Sequence, residues 1–194
     1  KERIDNFYRE LSAETYRDIK SGDGNELGEG IYPGKIQALH SSSALTVNVF
    51  DYWRNLDEKS DIAKALLIPS ININKIHFEK KYPILNDANI PPNIDVVFEY
   101  KNGDCCAIEC KFTEPFNKRQ EDHGLKDKYL SGFNSWSLIP SIHQLSQSIS
   151  PENKIYKYLQ PAQLIKHIMG LLMKYEDDKS KFRLIYLYYD AFGE

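Results

Sequence analysis

The most regular stretch of apolar and polar positions in this chain runs from Ile94 to Phe112. Ile94-Asp95-Val96-Val97-Phe98-Glu99-Tyr100 and Cys105-Cys106-Ala107-Ile108-Glu109-Cys110-Lys111-Phe112 are two largely apolar runs. The turn Lys101-Asn102-Gly103-Asp104 separates them. Runs of this length flanking an Asn-Gly pair predict a β-hairpin. Residues two apart on a strand face the same side, so Glu109 and Lys111 project together while Cys106 and Cys110 face the other way.

Helical periodicity dominates elsewhere. Ile4, Phe7, Tyr8 and Leu11 form a stripe that predicts a helix over 2–19, ended by Ser21-Gly22-Asp23-Gly24. A Gly-rich loop carrying Glu26 and Glu29 then runs to Gly34, and its Gly28-Glu29-Gly30 lacks the spacing of a phosphate-cradling loop. Ser41-Ser42-Ser43 supplies N-cap hydroxyls for a helix over 42–56, and a short helix is expected over 60–67. Ile71 to Lys81 reads as a strand with Ile76 and Phe78 on one face and His77 and Glu79 on the other. Asp87 to Pro92 reads as a link. Pro161 opens a helix over 161–175, where Gln163 and His167, four apart, share a face. Phe182 to Tyr189 is apolar at nearly every position, the mark of a strand buried on both faces.

Residues 116–158 are the least regular part. They begin with a charged run, Asn117 to Lys128, and continue through Tyr129, Phe133, Trp136 and a Ser/Gln-rich stretch. Cations alternating with aromatics suit strand-backbone contact and base stacking; a solvated helix with a surface loop is the plainer alternative.

At 194 residues, 41% hydrophobic and 27% charged, the chain fits a single domain over 1–194 with an insertion at about 116–158. No run of about 18 apolar residues predicts a transmembrane helix. Nothing resembles a leader, so the cytoplasm is the expected location. Cys105, Cys106 and Cys110 are an odd cluster in one strand, which reads as buried small hydrophobes in a reducing compartment rather than a disulfide framework. The net charge of −3 weighs against a dedicated nucleic-acid binder without excluding a locally basic groove.

The chemistry lies in the hairpin. Charges on a largely buried sheet are costly unless paired or holding a metal. Asp95 and Glu109 with the ammonium of Lys111 are the minimum set for binding Mg²⁺ beside a phosphodiester. Asp95, a gap of 13 residues, then Glu109-Cys110-Lys111 resembles the Asp…Glu-x-Lys signature of the PD-(D/E)XK nuclease superfamily. That family often has Pro directly before the Asp, whereas Asn93 and Ile94 intervene here after Pro91-Pro92.

The resemblance implies an α/β fold, a restriction-endonuclease-like core of helix, three strands, helix and strand, with helices flanking a mixed sheet. It implies Mg²⁺-dependent cleavage of DNA, with Mn²⁺ as a substitute. Asp95 and Glu109 would be metal ligands, joined by the Cys110 carbonyl, and Lys111 would be catalytic. Glu79 would be a third carboxylate or the solvent side of an edge strand. Further contacts to phosphate or the metal's waters are expected from Gln163, from Thr113 on the Glu109–Lys111 face, and from Asn48 or Asp51 on the helix over 42–56. The expected partner is DNA, with no membrane, and a homodimer is left open. The alternative is a nuclease-fold protein that binds nucleic acid or a protein without cutting.

The hairpin sets its own condition. A two-residue Asn102-Gly103 turn puts Val96 opposite Glu109 and turns Asp95 to the wrong face. A three-residue loop, Asn102 to Asp104, pairs Asp95 with Lys111 and restores the shared face, as would a β-bulge.

Overall fold

The computed structural model describes residues 6–22, 24–29, 32–69, 73–85, 91–116 and 124–190. These group into two compact units. One comprises residues 1–80, 93–113 and 181–194; the other comprises 81–92 and 114–180.

The first unit holds the sheet. Its four strands, β3 (Ile73–Lys81), β4 (Asn93–Tyr100), β5 (Cys105–Lys111) and β6 (Phe182–Tyr188), lie in the order β3-β4-β5-β6. β4 pairs antiparallel with β5, and β5 pairs parallel with β6, so the sheet is mixed. A separate two-stranded ribbon, β1 (Gly28–Glu29) and β2 (Tyr32–Pro33), precedes it. Gly28 has φ +75°, and a Cβ there would collide with the backbone of Tyr32 and Gly34.

Helices α1 (Ala13–Ser21), α2 (Ser42–Arg54) and α3 (Ser60–Ala65) flank this sheet. The core joins Ile19, Ala44, Val47, Phe50, Ile62 and Ala63 to Val96, Phe98, Cys106, Ile108 and Cys110, the even-numbered side of the hairpin. Phe50 meets Phe98 edge to face, centroids 5.9 Å apart. Cys106 and Cys110 therefore lie on the face away from Glu109, as alternation predicts. Burial pushes both thiols up, Cys106 to about 12, which leaves them inert.

Several elements differ from expectation. α1 starts at Ala13, not residue 2, because Ser12 is extended and its hydroxyl accepts the Thr15 N–H; Ile4, part of the expected stripe, lies outside the described residues. The first residues of the expected 71–81 strand, Ile71 and Asn72, also lie outside them, as do 86–90 of the link. Asp51, expected to contact phosphate or the metal's waters, is buried and accepts from Thr15 Oγ1 at 2.5 Å and Ser12 Oγ at 3.1 Å. Arg54 adds ion pairs to Glu14 and Asp18 at 2.8 Å each, so α1 and α2 are locked by a polar network. β6 is the last strand of the sheet and is half-exposed or exposed along its length, not buried on both faces. A continuous apolar run does not distinguish a central strand from an edge strand with a sticky surface.

The second unit contains α4 (Asp127–Gly132), α5 (Pro140–Ser148) and α6 (Pro161–Lys174). The irregular stretch thus contains helices between 127 and 148, while 149–158 are not helical and 117–123 of its charged run lie outside the described residues. Phe133 and Trp136 are buried, not displayed for base stacking. The Trp136 indole donates to the Tyr129 and Leu130 carbonyls and its ring stacks on His143. Among the described residues, no helix is long and apolar enough to cross a membrane.

Candidate active site

The hairpin turn fixes which side chains meet. Tyr100 C=O accepts from Gly103 N–H, and Tyr100 N–H donates to Asp104 C=O, each at 2.9 Å. The loop is therefore three residues, Lys101 to Gly103, with Gly103 at φ +88°. A three-residue hairpin loop closed by a glycine of positive φ is a common form. The expected loop had the right length but began one residue later, which moves the register by two and preserves the facing sides. Val96 pairs with Ile108 and Glu99 with Cys105. The recorded pairing ends at Val96; continued by one residue it puts Asp95 and Glu109 on one face, and the two carboxyls lie in each other's field.

The three signature side chains engage each other's neighbourhood. The Asp95 carboxylate accepts the Cys110 N–H at 2.7 Å. Lys111 Nζ donates to Glu109 Oε1 at 2.5 Å, and Glu109 is fully buried. Burial first, and then the nearby Glu109 charge, push the Asp95 carboxyl well above the usual carboxylate range, with Lys111 pulling it back.

Glu79 belongs to this neighbourhood for a reason the alternation pattern does not contain. It has φ +50°, an uncommon conformation for a non-glycine residue. His77 and Lys80, three apart, consequently both reach the Glu99 carboxylate, at 3.2 and 2.8 Å, which strict alternation forbids. The Glu79 carboxylate accepts from Asn93 Nδ2 at 3.0 Å, at the start of β4. A Cβ on Gly22 would stand 3.0 Å from Glu79 Oε2, so the end of α1 packs closely on this side chain. The Glu79 carboxyl is pushed up to about 7, by burial first, then by the Glu26 charge and more weakly by Glu109, against the Asn93 bond.

Glu26 is the residue sequence reasoning missed. It is 8% exposed, and its Oε2 has no hydrogen-bond partner; Oε1 lies 3.7 Å from Lys35 Nζ. Its backbone is fixed by the Ile36 N–H, which donates to the Glu26 carbonyl. A buried carboxylate oxygen without a bond is costly, and the Gly-rich loop offered no periodicity from which to infer burial. The side chain of Glu29, on the same loop, lies outside the described residues.

The remaining candidates stand elsewhere. Asn48 uses both ends of its amide on the N-terminal segment, donating to the Asn6 carbonyl and accepting from the Tyr8 N–H, each at 2.8 Å. Thr113 does not continue the Glu109–Lys111 face by alternation, because β5 ends at Lys111. Gln163 sits half-buried in the first turn of α6, in the second unit.

Glu26, Glu79, Asp95 and Glu109, with Lys35 and Lys111, put four carboxylates against two ammonium groups in one unit. Among the described residues, no three acidic, His or Cys side chains are drawn close enough to form a ready-made metal cage. Mg²⁺ does not require one, since it commonly binds through one or two carboxylates and keeps several waters. The donor set of Asp95 and Glu109 is all hard oxygen, the kind a divalent cation takes; the unpartnered oxygen of Glu26 lies in the field of Glu79.

A family model described as Restriction Endonuclease associating with ARP matches residues 5–191. No curated protein and no solved structure matches the chain.

Proposed function

We propose that this chain, which belongs to the REase-ARP family (restriction endonuclease associating with ARP), is a Mg²⁺-dependent endonuclease that hydrolyses DNA phosphodiester bonds. The family and the mixed sheet flanked by helices make the fold restriction-endonuclease-like. The activity, the metal and the substrate are our reading. The observation that supports it is the Asp95 carboxylate on the Cys110 N–H, in the field of Glu109, with Lys111 Nζ on the Glu109 carboxylate.

In this reading Asp95 and Glu109 hold the cation, with the Cys110 carbonyl between them and Glu79 as a third carboxylate. Bound there, Mg²⁺ or Mn²⁺ supplies neutralisation of the scissile phosphate and a water of lowered pKa. Lys111 orients the attacking water and stabilises the negative charge that builds on phosphorus. Burial of Glu109 and the Asp95–Cys110 bond keep the two carboxylates in place, so little reorganisation is needed at the moment of reaction. One water is consumed: its oxygen bonds to phosphorus as the bond from phosphorus to the departing sugar oxygen breaks. Thr113, two residues past Lys111 in the same unit, remains a candidate for phosphate contact. A cytoplasmic location suits three free, buried cysteines. The association with ARP in the family's description adds a second partner to the reading.

Supercoiled plasmid nicking tests it. Cleavage with Mg²⁺, abolished by EDTA and by Lys111→Ala, is the expected result; unchanged cleavage by that variant removes Lys111 from the mechanism. The second reading, a nuclease-fold protein that binds without cutting, draws on the same Lys111–Glu109 pair, which already satisfies the buried charge internally. Calorimetric titration separates the two, since absence of Mg²⁺ and Mn²⁺ binding favours the second.

A further inference from the structure

Tyrosine rings border the candidate site along β6. The parallel ladder between β5 and β6 pairs Glu109 with Tyr186 and Lys111 with Tyr188. Paired residues of neighbouring strands project to the same face, so both phenol rings stand on the face of Glu109 and Lys111. The two rings meet each other, centroids 6.2 Å apart and planes tilted by 36°. Exposure rises along this row. Glu109 is fully buried beside a half-buried Tyr186, whereas Lys111 is half-buried beside Tyr188, which is 54% exposed. Solvent therefore reaches the row from its Tyr188 end, and a ligand that meets the Lys111 ammonium comes beside that ring.

Given the DNA substrate proposed above, on which this reading rests, we propose that Tyr188 is a positioning residue. Its ring stacks on an unpaired base beside the phosphate held at Lys111. The preferred substrate is then DNA with an unpaired nucleotide at the cut, in a single strand or at a branch, rather than a continuous duplex.

Neighbouring strands lie about 4.8 Å apart, so a nucleotide whose phosphate meets Lys111 can lay its base on the adjacent ring. Inside a duplex both faces of a base are covered by its neighbours, while an unpaired base offers a face to an aromatic side chain. The charge balance points the same way. Duplex binders draw much of their affinity from cations that neutralise phosphates. With 28 acidic residues against 25 basic ones this chain has no excess of cations, and stacking needs none. Stacking also uses the ring and not the hydroxyl, so phenylalanine should serve at this position. Leu187, paired with Cys110, stands on the opposite face of the same strand and provides the control.

Fluorescence anisotropy of the whole chain tests the role, with EDTA present so that no metal-dependent cleavage intervenes. The probe is one labelled oligonucleotide, used single-stranded and as a perfect duplex. The single strand should bind at least about fivefold more tightly, the effect of one stacked base. Tyr188→Ala should lose at least about fivefold on the single strand, with unchanged circular dichroism. Tyr188→Phe and Leu187→Ala should both bind it as wild type does. Equal binding of single strand and duplex overturns the proposal, as does a folded Tyr188→Ala variant that binds like wild type. A matching loss in Tyr188→Phe or Leu187→Ala overturns it too, because the ring would then not be the cause. Absence of plasmid nicking with the single-strand preference intact sinks the nuclease reading alone.

Discussion

Asp95 and Cys110 are joined across two strands by one bond, the Asp95 carboxylate accepting the Cys110 N–H at 2.7 Å. The residue between Glu109 and Lys111 thus holds the carboxylate that faces them. Asp95→Asn keeps the shape and can still accept that N–H, but it removes a charge that burial and Glu109 both disfavour. The expected outcome is a metal-free protein at least as stable as wild type, by thermal melt, with cleavage reduced at least about a hundredfold. A large loss of stability would make Asp95 a structural residue first.

The pH dependence of stability follows from Glu79, whose carboxyl is raised to about 7 in the folded protein. A raised folded value means the native state holds the proton longer than the unfolded chain does. The stability this contributes is complete below the unfolded value and is lost as pH rises through about 7. Metal-free protein should melt at a lower temperature at pH 8 than at pH 5.5, and Glu79→Gln should flatten that slope. A melting temperature that rises over the same interval in wild type alone would contradict it.

Glu26 carries a prediction of its own. Its unpartnered Oε2 stands buried beside Lys35, in the field of Glu79. Glu26→Gln should weaken Mn²⁺ affinity about tenfold or more while leaving the melting temperature of the metal-free protein unchanged or higher. Calorimetric titration reads the first and a melt the second; unaltered affinity would remove Glu26 from the site.

Asp51 is predicted to matter for stability only. With its bonds to Thr15 and Ser12 inside the first unit, Asp51→Ala leaves the buried Thr15 hydroxyl and the half-buried Ser12 hydroxyl short of an acceptor. Urea unfolding should show a loss of about 1–3 kcal/mol. Plasmid nicking by the folded variant should stay near the wild-type rate.

Much of this architecture can be read from the letters, and the exceptions have physical reasons. The hairpin, α2 and α6 follow from periodicity and from Asn102-Gly103, Ser41 and Pro161, whose local chemistry is strong. The start of α1 does not, because one hydroxyl, that of Ser12, outweighs the apolar stripe before it. The place of β6 at the sheet edge is equally hidden, since partners across the sheet and not the strand itself decide burial. Of the candidate site, Asp95, Glu109 and Lys111 stand out because charges in an apolar strand are conspicuous. Glu79 owes its position to a left-handed backbone that no residue type announces, and Glu26 to a glycine-rich loop folding inward.

The central claim is that the facing carboxylates of Asp95 and Glu109 hold the ion. Crystals grown with Mn²⁺ and recorded at a wavelength where it scatters anomalously test that most directly. The account predicts a peak bonded to both carboxylates, which disappears in Asp95→Asn crystals grown the same way. Wild-type crystals at saturating Mn²⁺ with no peak there, or with the ion held by other residues, would contradict it.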